Sequence, residues 1–241
     1  SIQLASTSLI STNAGMLGNG GSIILNAGQS LGLAGVLSAI GGSTQGNGGS
    51  IQTTSGGTVT VDPGFVVNSG ALSASSLPGS WLLESNGLSI DSSLGAVISA
   101  ALNTTNVSLL TQGLDAFNKP SGINLLLGSA ISKTSGTATQ LSIQTSGDIQ
   151  DNGLIGGSAA AMLSLVMKAE NIYLNAPAIV QSNHAEMSAA QKINSVGQVL
   201  GAGSNSLYTA LAQIYSLLGL VDLSNSTGQG GTVRVNANEL D

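Results

Sequence analysis

The chain contains no cysteine, so neither disulfides nor thiolate-held zinc can hold it together. Charge is almost as scarce. There are 5 Lys+Arg and 11 Asp+Glu in 241 residues, a formal net charge of −6. Arg234 is the only arginine. Nucleic-acid binding needs a basic stripe to neutralise phosphates, and none can be drawn here. Anionic membrane surfaces are disfavoured for the same reason. Aromatic residues make up 2% of the chain, so a core must be filled by aliphatic side chains. No apolar run reaches the ~20 residues of a membrane span; the longest, Leu207 to Val221, is interrupted by Gln213. No signal-peptide pattern precedes Ser1-Ile2-Gln3-Leu4, which reads directly as a strand and suggests a mature or trimmed product.

Glycine and small polar residues take the place of what is missing. There are 34 Gly, and 41% of residues are hydrophobic; disordered chains are poorer in apolar residues than this. Gly18-Asn19-Gly20-Gly21-Ser22-Ile23 returns 28 positions later as Gly46-Asn47-Gly48-Gly49-Ser50-Ile51. A weaker copy, Gly228-Gln229-Gly230-Gly231-Thr232-Val233, lies near the end. Self-similarity at such a period signals a repeat architecture. Alternating strand candidates recur throughout the first 181 residues: Ser22–Asn26, Ser50–Thr53, Thr58–Val61, Ser80–Leu83, Leu88–Ile90, Asn106–Leu110, Ile123–Leu127, Gln140–Gln144, Leu163–Lys168 and Asn171–Leu174. The expected fold is all-β, a single parallel β-helix (β-solenoid) domain over 1–241, each strand stacked on its equivalent in the next coil at ~4.8 Å. An antiparallel sandwich is the rival, since it too has short strands at regular spacing.

Three phrases resemble the filamentous haemagglutinin-type exoproteins, the large bacterial passengers of two-partner secretion. They are the repeated Gly-x-Gly-Gly-Ser-Ile, then Gly35-Val36-Leu37-Ser38-Ala39 with Gly41-Gly42, and Gly79-Ser80-Trp81-Leu82-Leu83 with Gly87-Leu88-Ser89-Ile90. The run from Ile98 to Leu109 is similar to the segment that follows in that family. Glu84-Ser85 departs from the Asp-Pro found there. The likeness spans residues 18 to about 110. It implies a right-handed β-helix, export through an outer-membrane secretion transporter, a place on the bacterial surface, and adhesion as the role.

From 183 to 220 the composition shifts to Ala, Gln, Met and Leu. Asn183 and Glu186 resemble a capping box, and Met187, Ala190, Ile193, Val196 and Leu200 fall at helical spacing. Leu207, Leu211, Ile214, Tyr215 and Leu218 would share one face of a second helix. The expectation is an α-helical hairpin inserted between coils, serving as a plug over the solenoid or as an assembly surface for a neighbouring subunit. Residues 228–241 then return to solenoid strand.

Little in the chain carries chemistry. His184 is the only histidine, and no strained Gly-x-Ser-x-Gly elbow accompanies it. Asp148 and Asp151 flank Ile149-Gln150 beside glycines; they read as turn residues, or else as an acidic pair on a solenoid face. They do not follow the calcium-loop pattern. The glycine corners lack the lysine and the following helix of a phosphate loop. The expected function is a secreted adhesin or structural domain that binds a cell-surface glycan or protein, without catalytic residues, metal or cofactor. A self-associating filament subunit is the alternative, and a polysaccharide-active enzyme a third reading.

Overall fold

Ile23 pairs with Ile51 in a parallel register 28 residues deep, so the two Gly-Asn-Gly-Gly copies sit one above the other. The computed structural model describes residues 1–114, 118–157, 162–175, 178–182, 184–196, 198–200, 205–217, 221–222 and 233–240. The first coil begins with β1 (Ile2–Gln3) and β2 (Leu9–Ser11). A full three-sided coil follows as β3 (Ser22–Ala27), β4 (Ser30–Leu33) and β5 (Val36–Ser38). It repeats as β6 (Ser50–Ser55), β7 (Thr58–Val61) and β8 (Val66–Asn68). The next has β9 (Ser80–Ser85) and β10 (Leu88–Ile90), then helix α1 (Ser92–Leu102). Two further coils comprise β11 (Asn106–Thr111), β12 (Ile123–Leu125) and β13 (Ala130–Lys133), then β14 (Thr139–Thr145), β15 (Asp148–Asp151) and β16 (Leu154–Gly157). Beyond them the strands lengthen: β17 (Leu163–Leu174) with β18 (Ile179–Gln181), β19 (His184–Ser195) with β20 (Gln198–Leu200), β21 (Asn205–Leu217) with β22 (Val221–Asp222), and β23 (Val233–Leu240).

All strand pairs between these elements are parallel, which makes the chain a β-solenoid and excludes the sandwich. The first side is the ladder β3-β6-β9-β11-β14-β17-β19-β21-β23. The second side is β1-β4-β7 and, separately, β10-β12-β15 continued by the C-terminal half of β17. The third side is β2-β5-β8 and then β13-β16-β18-β20-β22. Helix α1 stands between β8 and β13 in the third side, where a strand would otherwise lie. Asp91 caps it, its carboxylate accepting from the Leu94 N–H at 2.9 Å. Its inward residues Leu94, Val97, Ile98, Ala101 and Leu102 join the common core.

The core is built in rows along the axis. One runs Ile23, Ile51, Trp81, Val107, Leu141, Leu165, Ala185, all buried. The row at the corner towards the second side is small or hydroxylated: Ala27, Ser55, Ser85, Thr111, Thr145, Ala169, Ala189. Carbonyls turned inward at that corner need donors. Ser85 Oγ donates to the Gly87 carbonyl at 2.7 Å, and Thr111 and Thr145 both donate to the Ser121 carbonyl. Trp81, the single tryptophan, is fully buried. It stacks edge-on to Phe65 at 6.1 Å, and its indole N–H donates to Thr53 Oγ1 at 3.0 Å.

The repeated motif is a corner device. Asn19 Oδ1 accepts from the Asn47 N–H at 2.8 Å, and Asn47 Oδ1 from the Leu77 N–H at 2.9 Å, so each asparagine ties one coil to the next. A Cβ on Gly48 would collide with the Ser69 carbonyl oxygen, and one on Gly20 with the Ala39 carbonyl oxygen. Glycine is required there because stacked backbones touch.

The helical hairpin expected over 183–220 is not present. Its described residues form β19, β20 and β21, each in parallel register with the coil before. In β19 the buried residues are Ala185, Met187, Ala189, Ile193 and Ser195, an alternation broken once, where the strand turns the corner. Ala190 and Val196, which helical spacing assigns to the core, are exposed. Two short period-two runs on either side of a corner imitate a period near 3.6. A preformed parallel neighbour then overrides the helix propensity of Ala, Gln and Lys.

Candidate functional site

Strand β10 pairs with β12, β12 with β15, and β15 with the second half of β17, which aligns one outward row: Ser89, Asn124, Gln150, Tyr173. The sequence separations are 35 (89 to 124), 26 (124 to 150) and 23 (150 to 173). A groove of about 530 Å³ runs across these coils, with Ser89, Lys119, Asn124, Asp148, Gln150, Glu170 and Asn171 on its polar lining. Of its apolar lining, Leu88 and Ile123 belong to the core and are nearly covered, while Pro120 is exposed.

The carboxylates are held by amides. Asp148 Oδ1 accepts from Asn171 Nδ2 at 2.7 Å, and Glu170 Oε1 from Gln191 Nε2 at 2.6 Å. Glu170 sits where β17 turns between sides, at the register shift against β19. Tyr173 adjoins the groove. Burial, and then the negative charges of Asp148 and Glu170, push its phenol above the ordinary range. Lys192 Nζ lies 5.4 Å from the Tyr173 ring centroid, a cation–π contact that steadies the ring. Such a surface offers hydrogen-bond acceptors and amides across several coils, with no deep apolar pocket.

Two ionisable groups lie inside the solenoid instead. Asp151 is completely buried in the inward row Ile90, Leu125, Asp151, Leu174, Ser195. Its Oδ1 accepts from the Gly153 N–H at 3.0 Å, while Oδ2 is enclosed without a partner. Burial raises its carboxyl to about 7, the Gly153 hydrogen bond opposing. Lys133, also enclosed, donates to the Leu102 and Ser135 carbonyls at 2.8 Å each, closing the C-terminal end of α1. Burial lowers its ammonium below the ordinary range.

The residues singled out from the sequence separate here. Asp148 and Asp151 are not turn residues but the two ends of β15. Gly147 and Gly153 flank that strand and carry the corners. Strand alternation puts Asp148 outside and Asp151 inside, so they do not form an acidic pair. His184 begins β19, opposite Ser164, rather than a helix. Among the described residues no group of three or more His, Cys, Asp or Glu could hold a metal ion. No helix among them is long and apolar enough to cross a membrane. Leu207, Leu211, Ile214 and Tyr215 lie in β21, a strand and not the expected helix. Leu218 lies outside the described residues, as do Asn183 of the capping box and positions 228–232 of the third glycine repeat.

The groove has no signature in the sequence. Finding it requires the register between coils of unequal length; with that in hand, the polar residue at the middle of each second-side strand would mark it. No family model, no curated protein and no solved structure matches the chain. The resemblance to the haemagglutinin-type exoproteins therefore rests on the glycine and tryptophan phrases alone, and the solenoid is compatible with it.

Proposed function

We propose that the chain is a non-catalytic attachment domain of an exported bacterial surface protein, delivered through an outer-membrane secretion transporter. The observation that carries this reading is the division between the inside and outside of the solenoid. Inward rows on the first side are aliphatic or hydroxylated apart from Trp81. An outward row on the same side runs Ser22, Ser50, Ser80, Asn106, Gln140, Ser164, polar and uncharged over six strands. A long neutral row of hydroxyls and amides suits many weak hydrogen bonds to a cell surface, and it needs no cleft. The glycine phrases supply the link to two-partner secretion.

The test is retention of the purified chain on bacterial and epithelial cells, against an unrelated acidic β-protein as control. Saturable retention that the unlabelled chain competes away supports attachment. Retention no greater than the control's refutes it.

A further inference from the structure

Resting on the attachment reading, we propose that the groove across β10, β12, β15 and β17 is a binding site for an uncharged polysaccharide laid along the solenoid axis. Its row of Ser89, Asn124, Gln150 and Tyr173 presents one polar side chain per coil, at steps of ~4.8 Å. A polymer of hydroxylated rings running along the axis meets a new amide, hydroxyl or phenol at each step. Asp148 and Glu170 stand beside the row, each already fixed by an amide donor. Fixed carboxylates are strong acceptors for sugar hydroxyls, and their orientation costs nothing further on binding.

The same two carboxylates outnumber the single cation of the lining, Lys119, and so weigh against an anionic ligand. Sulfated or uronic chains would bring anions against Asp148 and Glu170 in a chain of net charge −6. A protein partner is a poor fit as well. Protein interfaces draw their affinity from apolar and aromatic anchors in pockets, and the apolar lining here is one exposed proline, Pro120, with Leu88 and Ile123 withdrawn into the core.

The experiment is calorimetric titration of the full chain with neutral oligosaccharides of glucan, mannan and galactan type, and with heparin and alginate fragments, at two salt concentrations. Ser89→Trp fills the groove from an exposed position, and Gln150→Ala removes the amide at its centre. Gln140→Ala, on the first side, is the control. Thermal melting of each variant checks that the solenoid is intact. The expected result is binding of at least one neutral oligosaccharide, little changed by salt. Its affinity falls about tenfold in Gln150→Ala, more in Ser89→Trp, and not in Gln140→Ala.

Binding of the acidic fragments alone, or of a neutral sugar with equal affinity in Ser89→Trp, overturns the site. If no sugar binds but cells still retain the chain, the groove assignment fails and the attachment reading stands. If cells do not retain the chain while neutral sugar binds in the groove, the attachment reading fails and the site survives.

Discussion

Asp151 makes the stability of this solenoid depend on pH in a direction opposite to that of most paired carboxylates. In the folded chain it lies between Leu125 and Leu174 with one oxygen unpartnered. Its carboxyl titrates at about 7, against an ordinary value of 3.8. Between those values the folded state keeps a proton that the unfolded chain releases. Stability is therefore highest below about 4, falls as pH rises towards 7, and is flat above. The difference, 7 less 3.8 or about 3 units, corresponds to about 4 kcal/mol at ~1.4 kcal/mol per unit. That figure is an upper bound, because local opening of one coil can hydrate the carboxylate. Asp151→Asn keeps an acceptor for the Gly153 N–H and removes the ionisation. Urea unfolding of both chains at pH 4, 6 and 8 isolates the effect, since every other titrating group cancels in the difference. The variant should exceed the wild type by about 2–4 kcal/mol at pH 8, and the gap should shrink by most of that amount at pH 4. A constant gap across this range, or a variant less stable at pH 8, would refute the reasoning.

Four further outcomes follow from the packing. Gly48→Ala should lower the thermal midpoint, with a cost of about 1–3 kcal/mol, because its Cβ meets the Ser69 backbone. Gly87→Ala, where nothing lies within 4 Å, should leave the melt nearly unchanged. Trp81→Ala should cost about 3–5 kcal/mol in chemical denaturation. Lys133→Met should cost about 1–3 kcal/mol by the same measurement, by removing the ammonium's bonds to the Leu102 and Ser135 carbonyls.

Strands of the first side are legible in the sequence because they carry the longest alternations. Thr58–Val61 and Leu88–Ile90, on the second side, have the same bounds in sequence and structure. The third side is nearly silent. Val36–Ser38, Val66–Asn68 and Leu154–Gly157 are three or four residues long, too short for a period to show. Helix α1 hides for another reason. Its 11 residues, Ser92–Leu102, fall inside the stretch from residue 18 to about 110 that resembles the exoprotein family, and four of them are glycine or alanine, Gly95, Ala96, Ala100 and Ala101, with no charged side chain to outline a polar face. The corner effect in β19 is the converse case, a strand that looks helical because the coil bends within it. The candidate groove depends on coil register and was out of reach. Asp151 differs again: a carboxylate in a core row leaves no trace in local pattern, since its four-residue strand alternates whether the inward position is leucine or aspartate.

That last contrast bears on where function can reside. Inward rows and glycine corners are fixed by contact with the coils above and below, so a change there is felt as stability. The outward positions of the same strands meet mostly solvent and lateral neighbours. They can change chemistry without disturbing the stack. Ser89, Asn124, Gln150 and Tyr173 occupy equivalent places on successive coils yet share no side-chain type, while the inward row beside them reads Leu88, Ile123, Ile149, Ile172. Packing thus dictates the second row closely and the first hardly at all. A polar stripe that packing does not dictate, lying beside two carboxylates held by amides, is where recognition can be written onto this fold.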